Sequence, residues 1–382
     1  MRILHVNPFF SPYVGGTENY IHDLSTRLAR RGHEVTVLTA KLKGTREEET
    51  IDGIRVVRVP SLVLSWLPPP LPPPYAIAPE ASKVAVGLAK RHDIIHLHNR
   101  FFTSFANAAL AARKIAKKPL VLTIHNSKTK GISLATDLFG NLFDSFYGDF
   151  VIKSADHVIG NSQYSLDITA PFVPARKKRV VYNGIDLKRY RKVKSRVKQR
   201  LGCKFLSATT CRLVRQKGLA YLVDSLRLVD VDGFHAVVVG GGPLLKSLAR
   251  RAEKQGVSGR MTFTGKVPHE NLLQVLSAAD CFVLPSLYEP FGMAVTEAMA
   301  LGVPVATSSA GGLPEVVGDA GVLFKPRSPR AIADAINRLA GDKRLRNRLG
   351  RAGLERARKV FDWDKIAVKV EETYEDVLNS RR

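Results

Sequence analysis

The sequence predicts an α/β protein built from two doubly wound domains, each a parallel sheet covered by helices on both faces. Three observations predict it. The chain has 382 residues, too many for one ordinary α/β core and enough for two. Short β-rich runs alternate with amphipathic stretches, which is the pattern of strand–helix–strand units whose parallel strands are buried on both faces. The alternation lapses over a basic segment and restarts near Lys204.

In the first half the strand-like runs are Ile3 to Val6, Val35 to Leu38, Ile54 to Val59, Ile94 to Leu97 and Leu120 to Ile124, and Gly15-Gly16 punctuate the passage into a helix over Asn19 to Arg31. In the second half the strands are Phe205 to Thr209, Ala236 to Val239, Met261 to Thr264, Cys281 to Pro285 and Val303 to Ala306. Helices over Ala220 to Leu228, Leu244 to Lys254, Leu272 to Ala279 and Met293 to Leu301 separate them. The boundary falls between Asn183 and Gln199. This gives an N-terminal domain of residues 1–185 and a C-terminal domain of residues 186–360, with a last helix over 361–382 packing back on the first domain. One insert breaks the pattern: between Ser61 and Pro79 repeated prolines exclude helix and ladder pairing, so an exposed loop carrying apolar side chains is expected.

Hydrophobic residues make up 45% of the chain, in the range of globular proteins, and no run approaches the roughly 20 apolar residues of a membrane span. The start MRILHVNPFF reads as a strand entering a turn, without the apolar core and cleavage site of a signal peptide, so a cytoplasmic address is expected. Cys203, Cys211 and Cys281 have neither the number nor the spacing of a disulfide framework or a zinc clamp. The net charge of +25 attracts nucleic acid, anionic lipid or phosphorylated substrates, and charge alone does not choose among them.

In open parallel sheets ligands bind beyond the carboxyl ends of strands, so the turns that follow strands are the places to search. Gly15 and Gly16, in NPFFSPYVGGTENY, put bare backbone N–H groups at a helix start, or simply make a tight turn. Arg212 and Lys217 bracket the turn after the strand FLSATT, where they either meet a diphosphate or stand as solvated cations. Gly240 opens a glycine run that permits close backbone approach. The segment CFVLPSLYEPFGMAVTEAMALGVPVA is the most informative. Phe291, Gly292 and Met293 open a helix whose first N–H groups have no internal partner and can dock a phosphate. Glu297 lies further along that helix, suited to accept two hydrogen bonds from a ribose diol, and Glu289 in the preceding loop is left for sugar hydroxyls. Both acids sit in an apolar, glycine-punctuated context, unlike a solvated face.

These residues resemble the large retaining glycosyltransferase family with the GT-B fold, often called family 4, and the likeness runs over nearly the whole chain. The family's E-x7-E signature is matched by Glu289 and Glu297, its phosphate-binding Arg and Lys by Arg212 and Lys217, and its N-terminal glycine loop by Gly15-Gly16-Thr17-Glu18. His125 in VLTIHNSK, Asn183-Gly184-Ile185-Asp186 and Gly311-Gly312-Leu313-Pro314-Glu315 match further segments. Cys211 and Gly241 depart from it, standing where a small glycine-like residue and an aspartate are usual. The resemblance implies two Rossmann-like domains with parallel sheets facing across a cleft. It implies that Glu297 holds the donor ribose, and that Glu289 with the amides of Phe291 to Met293 holds the transferred sugar. Arg212 and Lys217 would stabilise the leaving diphosphate, and His125 would lie near the sugar on the acceptor side. The partners it implies are a UDP- or GDP-sugar and a lipid-linked or glycan acceptor, and a retaining outcome follows from the resemblance alone.

The chemistry of such a site is self-consistent. Breaking a glycosyl phosphate bond builds negative charge on the diphosphate, which fixed cations and helix-end amides stabilise, so no metal cofactor is expected. Two D-x-D triplets, Asp230-Val231-Asp232 and Asp362-Trp363-Asp364, read as structural, the first in a helix-to-strand connection and the second inside the terminal helix. His96 and His98 point the same way from one strand, but no third metal ligand accompanies them in the sequence, so they read as strand-end or packed histidines. A nucleotide-sugar epimerase or a phosphorylase shares the architecture, and the charge alone would suit a nucleic-acid binder. No helix-turn-helix, RNP motif or zinc knuckle supports the last, so no nucleic-acid partner is expected. Twelve Lys or Arg between Pro174 and Arg200, against the single acid Asp186, together with the apolar side chains of the proline-rich insert, either meet an anionic membrane surface on the inner face of the cell membrane or are a solvated basic run and an acceptor wall packed on its own domain.

Overall fold

The computed structural model describes residues 1–65, 74–128 and 134–381, with only the backbone described at 134–136. It divides into two compact units, residues Met1–Gly184 with Trp363–Arg382, and residues Ile185–Asp362.

The first unit holds β1 (Arg2–Val6), β2 (Glu34–Ala40), β3 (Glu48–Ile51), β4 (Ile54–Val59), β5 (Leu62–Leu64), β6 (Tyr75–Ile77), β7 (Ile94–His98), β8 (Leu120–Ile124), β9 (His157–Gly160) and β10 (Lys178–Val180). Eight of them form one sheet in the order β10-β9-β8-β7-β1-β2-β4-β3. Every pairing is parallel except that of β3, which returns antiparallel along β4. β7 and β8 are buried at every position, which is why they read in the sequence as continuous apolar runs rather than alternating ones. The second unit holds β11 (Phe205–Thr210), β12 (Phe234–Val239), β13 (Met261–Gly265), β14 (Cys281–Leu284), β15 (Val305–Ser308) and β16 (Gly321–Phe324), ordered β13-β12-β11-β14-β15-β16 with all pairings parallel.

The last helix, Trp363–Asn379, belongs to the first unit. Its apolar stripe of Trp363, Ile366, Val370, Tyr374 and Val377 is buried against Ile3, Val37, Ile94 and Val121 of the sheet. Each such side chain, fully buried, contributes about 1.5–3 kcal/mol of transfer free energy. Asp362 therefore precedes this helix and Trp363 begins it, so the second D-x-D triplet straddles the helix start instead of lying inside it. The first lies between Leu228 and β12, where exposed Asp232 pairs with Lys204 at 2.5 Å. Of the proline-rich insert, Leu62 to Leu64 form β5, paired with β6, and Val63 packs against the core. Trp66, Leu67 and Leu71 lie outside the described residues.

Candidate active site

Strand order fixes where a ligand can sit. In the second unit the chain runs outward from β11 to β12 and β13, then returns to the other side of β11 with β14, β15 and β16. Turns leaving the carboxyl ends of strands on either side of such a reversal splay apart, and the opening between them takes the ligand. The turn after β11 carries Arg212 and Lys217, and the turn after β14 carries Glu289, Phe291 and Gly292. Backbone contacts bind these turns into one surface. The Leu287 N–H donates to the Gln216 carbonyl at 2.7 Å, and the Gly312 N–H, from the turn after β15, donates to the Glu289 carbonyl at 2.9 Å. Gly240, after β12, has φ of 137° and lies so close to the Cys211 carbonyl that a Cβ would overlap it. Conformation and space both hold that position to glycine.

Sequence reasoning assigned Lys217 to phosphate and Glu289 to sugar without relating them, but the structure pairs them. Lys217 Nζ donates to Glu289 Oε2 at 2.5 Å, and Ser286 Oγ donates to the same oxygen at 3.1 Å. Both charged side chains are mostly buried, 18% and 11% exposed, so each screens the other from the cost of desolvation. Arg212 is exposed and, among the described residues, pairs with no carboxylate. Arg212 therefore brings to this surface a positive charge that no carboxylate among the described residues compensates.

Phe291 contributes only its backbone, because its ring is 2% exposed and packs edge-on against Phe361 with centroids 5.6 Å apart. Gly292, with φ of 112°, turns the chain into helix Met293–Ala300. The N–H groups of Met293 and Ala294 have no partner among the described residues, as expected of a helix start, and the helix dipole adds partial positive charge there. Glu297, in the second turn of the helix, accepts a hydrogen bond from Tyr190 Oη at 2.7 Å. Burial pushes its carboxyl up to about 7, against the opposing hydrogen bond from Tyr190 and the charge of Arg189.

In the first unit the order reverses between β1 and β7. Gly15, extended at φ −156°, caps helix Gly16–Arg30 after the β1 turn, and Gly16 is its first residue. Thr17 Oγ1 accepts from Asn99 Nδ2, in the turn after β7, at 3.4 Å. His125 leaves the end of β8, and its Nε2 lies 3.1 Å from His98 Nδ1, while His98 Nε2 lies 2.7 Å from His5 Nδ1. Three buried imidazoles thus form one hydrogen-bonded chain that ends at His5 Nε2, an atom without a partner among the described residues. Burial pushes His5 and His125 down to about 3 and His98 well below its ordinary value. His125 is accordingly neutral near neutral pH, a hydrogen-bonding group instead of a proton donor.

His96 and His98 are fully packed, and a third histidine that the sequence did not suggest, His5, stands with them within 4.8 Å. The trio does not fit a metal. Both nitrogens of His96 are engaged, by Tyr374 Oη and Thr123 Oγ1 at 2.6 Å each. His5 Nδ1 and His98 Nε2, 2.7 Å apart, are nearer than the roughly 3.3 Å that separates nitrogens around a tetrahedral ion with bonds of about 2.0 Å.

The structure therefore gathers Arg212, Lys217, Gly240, Glu289, Phe291, Gly292, Met293 and Glu297 in the second unit, and Gly15, Gly16 and His125 in the first. Sequence reasoning missed Tyr190, Ser286, His5 and His98 as their partners. His5 carried a signal: after exposed Arg2 it is the one polar residue in the buried part of central strand β1, in register with His96 of β7.

Two doubly wound units, each with its turns open at a strand-order reversal, define the GT-B architecture of glycosyltransferases. Residues 194–356 match the family described as glycosyl transferases group 1, and residues 14–189 match that described as glycosyltransferase family 4. Glycogen synthase of Mycobacterium tuberculosis is 30% identical over 98% of this chain and 94% of its own length. The GDP-mannose-dependent alpha-(1-6)-phosphatidylinositol monomannoside mannosyltransferase of the same organism is 30% identical, covering 97% of each chain. The crystal structure of Anabaena HepE in complex with UDP superposes with a TM-score of 0.76 at 26% identity, covering 98% of this chain and 100% of that one. The chain belongs to the group 1, family 4 glycosyltransferases, and is a glycosyltransferase.

Proposed function

We propose that the protein transfers a hexose from a UDP- or GDP-sugar to a lipid-linked or glycan acceptor with retention of anomeric configuration. The observation that carries the reading is the meeting of Lys217, Arg212, Glu289 and the free amides of Met293 and Ala294 at the β11–β14 reversal, with Glu297 on the helix that begins there. The relatives named for GDP-mannose and solved with UDP support a nucleotide-diphosphate donor. Arg212, Lys217 and the amides take the diphosphate, Glu297 takes the ribose diol, and Glu289 takes sugar hydroxyls, with Gly240 leaving room for the approach. Gly15 and Gly16 serve the donor, and neutral His125 serves the sugar on the acceptor side. As the anomeric C–O bond breaks, positive charge develops on the sugar and negative charge on the diphosphate, where the cations and amides are stronger partners in the transition state than in the ground state. The departing phosphate then accepts the acceptor hydroxyl's proton on the same face. Thermal stabilisation and nucleoside diphosphate release across a panel of nucleotide sugars test this reading. One UDP- or GDP-sugar is expected to raise Tm and to be turned over. A panel with no effect on either would contradict it.

The same reading assigns charge stabilisation to side chains and amides, so activity is expected to survive exhaustive treatment with EDTA. Loss of activity that a divalent ion restores would overturn that assignment and return attention to the D-x-D triplets.

A lipid-linked acceptor would call for a peripheral position on the inner face of the cell membrane, and among the described residues no helix is long and apolar enough to cross it. Besides the basic run Pro174 to Arg200, support comes from a feature sequence reasoning missed. Leu138, Leu142, Phe146 and Phe150 recur every four residues along helical segment 134–154 and are 72%, 55%, 80% and 56% exposed. In a regular α-helix a four-residue spacing drifts about 40° per step. The wider π turn at Asp144–Gly148 offsets that drift and keeps the stripe on one face. Buried Arg100 grips Asp144 in this turn through two bonds of 2.6 and 2.7 Å. An exposed apolar stripe of this size suits a membrane interface. Binding to anionic vesicles at low salt is expected, and replacing Leu138 and Phe146 by Ser is expected to lower it at least tenfold. Absence of binding to anionic vesicles would reject the membrane proposal, and binding unchanged by the double substitution would reject the stripe's part in it.

A further inference from the structure

We infer that the second unit carries a separate anion site, for a compact phosphate-bearing ligand, in a basic pocket at the amino ends of β14 and β15. The pocket has a volume of about 1090 Å³. Its floor includes Ala279 and Asp280, just before β14, and Leu301, Gly302 and Pro304, just before β15. Glu289, Phe291 and Gly292 leave the carboxyl end of β14, and Arg212 and Lys217 leave that of its neighbour β11. β14 and β15 have four residues each, or about 13 Å at roughly 3.3 Å per residue, so the pocket lies at the opposite end of the sheet from the donor turns.

The walls are cationic. Lys188, Arg191 and Lys192 form one side, and Lys343, Arg351 and Arg358, from helix Lys343–Val360, form the other. Among the described residues Lys188, Arg191, Lys192, Lys343 and Arg351 make no ion pair with a carboxylate. The acid of the lining, Asp280, is engaged elsewhere: its Oδ2 accepts from Lys198 Nζ at 2.5 Å and from the Leu206 N–H at 2.7 Å. Arg346 is also committed, donating to the carbonyls of Leu339 and Ala340 at 2.5 and 2.7 Å. Arg351 Nε reaches back to the Asn347 carbonyl at 3.3 Å, and its charge, with those of Lys188, Arg191, Lys192 and Lys343, faces one concavity with no compensating carboxylate among the described residues.

That concavity is built by close packing. Helix Lys343–Val360 approaches the turn before β15 so tightly that a Cβ on Gly350 would meet the Gly302 carbonyl at 2.5 Å. Cations converging on one concave surface repel one another and raise the positive potential in the space between them, which an anion relieves. Guanidinium forks match phosphate oxygens in pairs, ammonium groups add point charge, and the Asn347 side chain in the lining supplies a neutral donor. A sugar phosphate, an inorganic polyphosphate and a phosphorylated lipid headgroup share the chemistry this lining recognises.

Calorimetric titration of the full chain with inorganic tripolyphosphate tests the site. One-to-one binding is expected to persist when Arg212 and Lys217 are both replaced by Ala, because those cations belong to the donor turns. It is expected to weaken at least tenfold in Lys343→Glu with Arg351→Glu, both exposed positions, while donor binding stays unchanged. Should that pair fail to fold by circular dichroism, Arg191→Glu with Lys192→Glu on the facing wall makes the same test. Vesicles containing phosphatidylinositol 4-phosphate separate the sources. Vesicle binding that tripolyphosphate displaces, and that Lys343→Glu with Arg351→Glu removes, assigns a lipid headgroup, whereas tripolyphosphate binding alone assigns a free phosphate ligand. No tripolyphosphate binding, or binding lost with Arg212 and Lys217 and indifferent to the pocket variants, would overturn the site while leaving the donor reading intact.

Discussion

Lys217→Ala is expected to lower kcat at saturating donor by about 100-fold to 1000-fold, the cost of removing one group aimed at charge developing in a transition state. Arg212→Ala is expected to act the same way, more weakly because Arg212 is exposed and its charge is partly screened by water. In both variants nucleotide affinity should change less than turnover, since the diphosphate gains charge only as the glycosidic bond breaks. Lys217 also neutralises Glu289, so its removal strands a mostly buried carboxylate. The double variant Lys217→Ala with Glu289→Gln separates the two effects. If the loss reflects only the stranded charge, the double variant matches Glu289→Gln alone in both stability and turnover. If Lys217 serves the leaving group, the double variant matches Glu289→Gln in stability but turns over well below it. Single variants with wild-type kcat at saturating donor would remove both residues from the phosphate role.

Glu297→Ala is expected to weaken donor binding by about 1.5–3 kcal/mol, the range for hydrogen bonds to a charged group, which is roughly 10-fold to 150-fold in Kd. The raised carboxyl adds a pH signature. Its folded value of about 7 lies above the ordinary 4.5, so the folded chain holds this proton more tightly than the unfolded chain. The associated stability is fully present below 4.5 and is lost as pH rises through about 7. Glu297→Gln, which is never charged, should therefore be more stable than the natural chain at pH 8 by on the order of 1–3 kcal/mol. The gain should vanish below about pH 5, while donor affinity falls at every pH. Urea unfolding at pH 5 and pH 8, with nucleotide titrations beside it, checks both arms. A stability difference that does not vary with pH would contradict the buried carboxylate, and unaltered donor affinity in a folded variant would contradict the ribose role.

Much of the fold is legible in the chain because parallel strands buried on both faces must be apolar throughout, as LVLTI and CFVL are. The edge strand β3, EETI, escapes that logic, since it is half exposed. Its signal lay in the turn: Asp52 and Gly53 both have positive φ, 49° and 82°, as a two-residue hairpin loop requires. The E-x7-E acids and the helix start at Gly292 are local and could be read directly. The pairing of Lys217 with Glu289 could not, because 72 residues separate them and only the adjacency of β11 and β14 brings their turns together. Tyr190 is hidden for a related reason: it lies in a basic stretch without periodicity, and its partner Glu297 is 107 residues away. The histidine chain is a register effect, in which neighbouring central strands each place an imidazole near the same level.

The most direct test of the account follows the anomeric carbon itself. Time-resolved proton NMR of the full chain with α-configured UDP- and GDP-sugars, water serving as acceptor, should show nucleoside diphosphate appearing with the α-anomer of the free sugar formed first. The rate should fall in Lys217→Ala and persist in EDTA. The β-anomer formed first, or no release of nucleoside diphosphate from any donor, would contradict the proposed retaining transfer.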